Sequence, residues 1–378
     1  MKTVIPMILQ PATENYFWVQ NIIEGILNTS VRYDSELLII EKEVVLERNL
    51  SRNLPVLVNG HLSEWLSDTA QFLQWNGYTP IIINAGYVNT RECKYSSVQF
   101  DMASGVREVV DYCNLCGHRN MVLFGVRSGV AGDQEKVRLF RQCADQMGLA
   151  DLSVVYMGNT LEESIHEFVN YFWDSDKDAV FCANDTVAIF LMQELKKNGI
   201  RIPEDVLIFG VGDSLVGRLA EVSLISLTAD YVELGKQAVR LWRYLFKDGT
   251  DVHITMSVAC HMNQKNINVE KVFSKRHSKE VTVEVGKNIG CWNDYFYEDE
   301  MVKRLHRLES LLQSCDETDM VLLKAIKNEK QDEVIAEEIW MTPRAIRYRI
   351  NKMMKKIGVQ NRSEIVELLR EFRIWGEE

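Results

Sequence analysis

From residue 1 to about 265 the sequence alternates short β-rich apolar runs with longer stretches of helical period, and this alternation constrains the fold most. Runs of four to eight apolar residues are too short for helices and suit strands buried on both faces. A helix between each pair then dictates parallel crossovers. The expected strands are Thr3–Leu9, Glu36–Ile40, Pro55–Asn59, Thr79–Asn84, Asn120–Phe124, Leu152–Tyr156, Ala179–Ala183 and Val206–Val211. Helical spacing marks Val19–Leu27, Leu62–Trp75, Gly105–Cys116, Asp133–Met147, Leu161–Trp173, Asp185–Asn198 and Tyr231–Phe246. Gly77, Gly117, Gly148 and Gly199 each follow a helix by a residue or two, where a left-handed cap is wanted. An α/β domain with parallel sheets covered on both faces follows.

Residues 266–315 break the pattern. Val281, Val283 and Val285 alternate as in a short strand, and Trp292, Tyr295, Phe296 and Tyr297 form an aromatic knot. This is a connector, ending in a short helix whose Met301, Leu305, Leu308 and Leu312 make an apolar seam expected to pack within the chain, a dimer contact being the alternative. Residues 316–378 are helical by pattern throughout. The formal charge of −11 excludes a chain that coats nucleic acid with its whole surface. From Glu300 to Glu378, however, basic and acidic residues number 15 each, so residues 1–299 carry the whole deficit. Between Thr342 and Arg362 lie seven basic residues and no acidic one.

That basic segment is amphipathic. Ile346, Ile350, Met353, Met354 and Ile357 fall on one stripe, while Arg344, Tyr348, Asn351, Lys352 and Lys355 project opposite, with Arg347 and Arg349 at the edges. A cationic, amide and aromatic outer face suits a DNA major groove; a solvated surface helix is the plain alternative. Before it, Val334–Ile339 forms a short helix, Trp340-Met341 a turn, Thr342 a helix cap and Pro343 the first helical residue. With a leading helix over Asp319–Asn328 and the closing Lys356-Ile357-Gly358-Val359-Gln360-Asn361-Arg362, the segment resembles the LuxR/GerE-type helix-turn-helix over about 50 residues. The resemblance implies that the helix after Thr342 reads duplex DNA, with Thr342, Arg344, Arg347, Tyr348, Arg349, Asn351, Lys352 and Lys355 as contacts. Arg349 stands where that family often has His.

In the front domain, Val180 to Ala188 ends a strand and opens a helix with Asn184-Asp185 at the junction, where open α/β sheets bind ligands. Together with Val98-x-x-Asp101-x-x-x-Gly105, Gly117-His118-Arg119, Phe209 to Asp213 and Leu224-Ile225-Ser226-Leu227, it resembles the sensor domain of lactose-repressor (LacI) family regulators. That domain is a two-lobed periplasmic-binding-protein-like I fold, and the resemblance covers about residues 3–262. It implies that Asn184 contacts a ligand in the cleft and that Lys136 takes the place of a ligand-clamping Arg. Gly212 replaces the family's Asp, with Asp213 one place later, and Tyr16, Phe17 and Trp18 line the cleft. The family's amino-terminal DNA-binding headpiece is not expected ahead of the first strand, and the carboxy-terminal helix-turn-helix is expected to replace it.

Cys113 and Cys116 lie on one helix without a second pair at zinc spacing, Gly210-x-Gly212 fails the dinucleotide fingerprint, and no catalytic constellation survives. Neither an enzyme nor a metal or other cofactor is expected. No apolar run reaches the roughly 20 residues that cross a bilayer. The start reads as a core strand and not a signal peptide, so a cytoplasmic location is expected. The expectation is a ligand-responsive transcription regulator: residues 1–265 sense, 266–315 connect and 316–378 bind double-stranded DNA. The sensor is expected to form a homodimer. A lone Lys136 ammonium without the family's Asp favours an acidic or phosphorylated sugar, or an organic acid, over a neutral monosaccharide. The rivals are a solute-binding protein of a transport system and a regulator controlled by protein partners without a small ligand.

Overall fold

The computed structural model describes residues 3–47, 53–84, 94–147, 153–248, 252–263 and 295–376. Two parallel sheets form two lobes. The N-lobe sheet contains β1 (Thr3–Leu9), β2 (Ser35–Ile39), β3 (Pro55–Asn59), β4 (Thr79–Ile83), β5 (Ser96–Phe100) and β11 (Thr255–Val258), in the order β11-β5-β4-β3-β1-β2. The C-lobe sheet contains β6 (Met121–Val126), β7 (Ser153–Tyr156), β8 (Ala179–Cys182), β9 (Leu207–Gly212) and β10 (Ile225–Thr228), in the order β10-β9-β8-β6-β7. Every strand pair is parallel, as continuous apolar strands between helices require. The chain passes between lobes after β5, after β10, and again after β11, where Met262 bridges to Leu227.

The expected strands form with boundaries shifted by a residue or two, and the sheets gain β5, β10 and β11, which the apolar-run criterion leaves out. The helices are α1 (Phe17–Ser30), α2 (Val44–Glu47), α3 (Ser63–Trp75), α4 (Met102–Leu115), α5 (Ala131–Met147), α6 (Leu161–Asp174), α7 (Asp185–Lys197), α8 (Leu215–Leu219) and α9 (Tyr231–Asp248). Gly77, Gly117 and Gly199 close helices with φ of 80°, 83° and 78°. Gly148, the Val281–Val285 alternation and Trp292 lie outside the described residues. None of the described helices is long and apolar enough to cross a membrane.

Helices α1 and α9 pack backbone to backbone across two glycines. A Cβ on Gly25 would meet the Val232 carbonyl oxygen at 2.0 Å, and one on Gly235 the Ile22 carbonyl oxygen at 2.1 Å. Carbonyls cannot retreat without moving a helix. Gly25→Ala is therefore expected to destabilise the protein by about 1–3 kcal/mol, seen as a lower urea midpoint; an unchanged midpoint would show that the crossing is looser than drawn.

The carboxy-terminal part is all helical: α10 (Glu300–Gln313), α11 (Glu317–Lys327), α12 (Asp332–Glu338), α13 (Pro343–Ile357) and α14 (Arg362–Glu371). The α10 seam packs within the chain: Leu305, Leu308 and Leu312 are buried and Met301 is partly so. These residues join one apolar cluster with Phe190 and Leu195 of the C-lobe, Leu322 and Ile326 of α11, and Ile346, Ile350 and Phe372. Polar contacts add to the joint: the Trp375 amide donates to the Leu219 carbonyl at 2.7 Å, and Arg373 pairs with Glu221 at 3.1 Å. The C-lobe and the carboxy-terminal helices thus share a core.

Candidate functional site

The carboxyl ends of β1, β3, β5, β6, β8 and β9 face the interlobe cleft, where parallel sheets leave loop groups free for ligands. Two adjoining cavities, of about 280 and 500 Å³, occupy it, and Trp18, Asn184, Tyr231 and Tyr297 line both. Of the expected aromatic loop, Trp18 lines both cavities and Phe17 the second, whereas Tyr16 lines neither. Tyr16 stacks on Tyr297 with ring centroids 4.1 Å apart, and Phe17 meets Tyr231 and His306 edge-on at 6.0 and 5.3 Å. Trp18 is both core and wall: it is 4% exposed, and its indole Nε1 has no hydrogen-bond partner among the described residues. Asn184 also has two roles. Its Oδ1 accepts from the Val187 amide at 3.0 Å and caps α7, leaving the carboxamide nitrogen for a ligand.

Lys136 lines the first cavity, but its ammonium is not alone. It donates to Asp133 Oδ1 at 3.0 Å, while Arg127 Nε donates to Asp133 Oδ2 at 3.0 Å, all three side chains being buried. The expectation of an unpaired cation is corrected to a buried cluster in which Lys136 and Arg127 both pair with Asp133. Burial pushes the Asp133 carboxyl up, yet the charges and hydrogen bonds of Lys136 and Arg127 hold it below the ordinary Asp value. The Arg127 guanidinium also lies over the Phe296 and Tyr297 rings, 4.6 and 5.6 Å from their centroids.

Asp213 does not replace the missing Asp as an open acceptor. It pairs with Arg218 and accepts from Asn263 Nδ2 at 2.7 Å. The deeper carboxylate is Asp185, which accepts from the Ser214 amide at 2.6 Å and from Ser226 Oγ at 2.5 Å. Burial raises its pKa to about 6. From α10, Glu309 accepts from the Leu215 and Val216 amides at 3.0 and 2.9 Å, so it caps α8 from another part of the chain. Burial raises its carboxyl pKa as well. Beside it, His306 is 3.3 Å from Thr186 Oγ1, and burial lowers its pKa to about 4. Arg127, Asp133, Tyr231, Tyr297, His306 and Glu309 are cleft residues that the sequence reading did not single out. Only Asp133, three residues before Lys136, carried a local signal.

A second candidate surface lies on α13. Thr342 Oγ1 accepts from the Ala345 amide at 3.2 Å, Pro343 opens the helix, and Gly358 closes it at φ 71°. Ile346, Ile350, Met353 and Ile357 are buried, with Met354 partly so, as the stripe predicts. Arg344, Arg347, Tyr348, Asn351, Lys352 and Lys355 are exposed, and Thr342 is exposed at the entrance. Arg347 leans back on its own segment, with Nε 3.3 Å from the Pro343 carbonyl and 3.6 Å from Asp332. Arg349 departs from the expectation: its Nη1 donates to Asp316 and Asp319 of the α11 cap at 2.8 and 2.7 Å. It fastens α13 to α11 and does not belong to the outer face. Arg362 turns inward too, to Asp332 at 2.9 Å.

Among the described residues no group of His, Cys, Asp or Glu could hold a metal ion. Cys113 and Cys116 are both buried, and burial raises both thiols' pKa values, as in structural cysteines.

A family model for a periplasmic binding protein-like domain matches residues 110–262. The chain is 26% identical over 165 residues to the HTH-type transcriptional regulator CelR of Thermobifida fusca, covering 43% of this chain and 48% of that protein. It is 24% identical over 168 residues to the arabinose metabolism transcriptional repressor of Geobacillus stearothermophilus, covering 43% and 45% respectively. The chain thus spans about half the length of the curated relatives it matches. Among solved structures it is similar to the lac repressor dimer bound to operator and the anti-inducer ONPF, with a TM-score of 0.60 and 12% identity over 72% of this chain and 95% of that one. It is also similar to a complex of transcriptional regulator CelR with cellobiose, with a TM-score of 0.59 and 18% identity over 69% and 84% of the two chains. At such identities the likeness shows the fold, and it is the two-sheet parallel fold of the LacI-type sensor.

Proposed function

We propose that this chain is a ligand-responsive, DNA-binding transcription regulator in which the interlobe cleft senses a small molecule and α13 reads duplex DNA. One observation carries the reading: Glu309 on α10 caps α8, whose preceding loop lines the cleft, while α10 shares its apolar core with the basic helix. A change in the cleft therefore has a packed route to the DNA-reading face. The similarity to named transcription regulators supports the assignment. We place α11 to α14 with the LuxR/GerE-type helix-turn-helix, on the cap, turn and closing motif described above. A homodimer would present two such units to symmetric half-sites.

The effector is a small acidic molecule, such as a phosphorylated or acidic sugar or an organic acid. Its contacts are the aromatic loop Tyr16 to Trp18, Asn184 and Lys136 of the buried Arg127–Asp133–Lys136 cluster, with Asp213 at the rim. The solute-binding alternative leaves the open basic face of α13 without a role.

Glucose 6-phosphate and 6-phosphogluconate are expected to raise the melting temperature more than glucose does, and Lys136→Ala should remove most of that difference. Stabilisation by glucose that persists in Lys136→Ala would overturn the anionic reading. Silence from the whole panel would favour control by a protein partner.

A further inference from the structure

Both cavities of the cleft are lined by a residue that belongs to neither sheet. Tyr297 precedes α10, yet its ring stacks on Tyr16 of the N-lobe at 4.1 Å and approaches His61 at 5.9 Å. On the other side Phe296 and Tyr297 receive the Arg127 guanidinium of the C-lobe. Phe296 is buried at 6% exposure and packs with the C-lobe cluster. The segment therefore grips both lobes at the position where a ligand between them would sit.

Two further features mark this position as one for an occupant. Trp18 lines both cavities with a buried indole N–H that finds no acceptor among the described residues, an arrangement that costs free energy until one arrives. The rings of Trp18 and Tyr231 line both cavities as the flat walls that a compact ligand would need, and Tyr297, which lines both cavities too, stacks on the neighbouring Tyr16. Its ring can stack but leaves the Trp18 donor unsatisfied.

We infer that Tyr297 is an internal occupant of the cleft, tethering the lobes in the effector's stead, and that an effector competes with it. This rests on the effector reading above and adds what that effector displaces. The effector would be a compact anion that offers an oxygen to Trp18 Nε1 and its charge to the Arg127–Lys136 side. Because Tyr297 leads directly into α10, leaving the cleft would release the first turn of the helix that caps α8. Binding energy spent on displacing Tyr297 is thereby coupled to the carboxy-terminal helices.

The tether is tested without any ligand. In the full chain, spin labels at the exposed Glu64 of α3 and Glu162 of α6, attached through unnatural amino acids to spare the native cysteines, report the distance between lobes. Tyr297→Ala is expected to lengthen and broaden that distance distribution, and Tyr297→Phe, which keeps the ring, to leave it unchanged. A Tyr297→Ala distribution identical to that of the parent protein, in a variant with unchanged circular dichroism, would overturn the tether.

Competition is tested by calorimetry with glucose 6-phosphate and 6-phosphogluconate. Tyr297→Ala should bind whichever the parent binds about tenfold more tightly or better, since the internal competitor is gone. Equal affinity would overturn the competition while leaving the effector reading intact. No binding by either protein would overturn the competition and count against the anionic effector, and the distance measurement would still decide the tether.

Discussion

Alanine at both Lys352 and Lys355 in the full chain is expected to weaken binding to duplex DNA about a hundredfold at low salt and to make the fall of log K with log salt shallower by roughly two. Both lysines are exposed on the outer face of α13, as are Arg344, Tyr348 and Asn351 between the same turns. A cation freed from intramolecular partners can release a counterion for each phosphate it neutralises, which is what the slope measures. Arg349→Ala is the contrasting variant. Its guanidinium is held by Asp316 and Asp319, so its loss should lower thermal stability by loosening α13 from α11 and leave the salt slope nearly unchanged. A double lysine variant that keeps its helicity and the parent slope would remove DNA from the proposal. If Arg349→Ala changed the slope as much as either lysine, the outer face would have been drawn wrongly.

The contrast between Lys352 and Arg349 shows where a helical wheel stops being informative. Periodicity fixes which residues of α13 face inward, because Ile346, Ile350, Met353 and Ile357 can only be buried together. It leaves border positions open, and the partner that decides for Arg349 is the capping box of α11, a different helix. The same limit applies in the cleft. That Asn184, Phe17 and Trp18 line the cleft was legible because strand ends in an α/β fold are where loop side chains gather. The charge on Lys136 was misjudged although Asp133 sits one helical turn away. Tyr297, His306 and Glu309 come from beyond the front domain, and no local pattern points to where they land.

The sheets follow the same logic. Strands buried on both faces, such as Val56, Leu57 and Val58 of β3, announce themselves as apolar runs. Strand β5 mixes Ser96, Ser97 and Gln99 with Val98 and Phe100, and β11 is an edge strand with polar Thr255 and Ser257, so neither stands out. They become strands because β4 offers β5 a hydrogen-bonding edge, and β5 then offers one to β11. Long-range pairing decides such segments more than their own composition does.

Two groups at the cleft, Asp185 and His306, should pull the stability of this fold in opposite directions as acid is added. Asp185 sits at about 6 in the folded chain against an ordinary 3.8, because burial penalises its charge more than Ser214 and Ser226 support it. A carboxyl whose folded value lies above its unfolded one binds its proton more readily when folded. The stability it withholds at neutral pH therefore returns as pH falls through about 6 toward 4, and amounts to about 3 kcal/mol. Glu309, also raised by burial, acts in the same direction. Asp133, Glu221 and Asp316 act oppositely, because cationic partners or hydrogen bonds hold their carboxyls low; the stability they bring is lost only as pH falls below the ordinary carboxylate range. His306 opposes Asp185 in the same window, because burial holds its folded pKa at about 4 against an ordinary 6.5, so the parental change between pH 7 and 5 is the balance of the two. Against that background Asp185→Asn, which keeps an acceptor for the Ser214 amide but cannot ionise, should lose stability more steeply than the parent protein in urea unfolding at pH 7, 6 and 5. A parental pH profile in Asp185→Asn would mean that the carboxylate is better solvated than its position beneath the Ser214 loop implies. The same position gives the effect a functional reach: Asp185 anchors the loop that enters α8, and Glu309 caps that helix from α10. A proton on Asp185 therefore acts on the joint through which the cleft and the DNA-reading helix are connected.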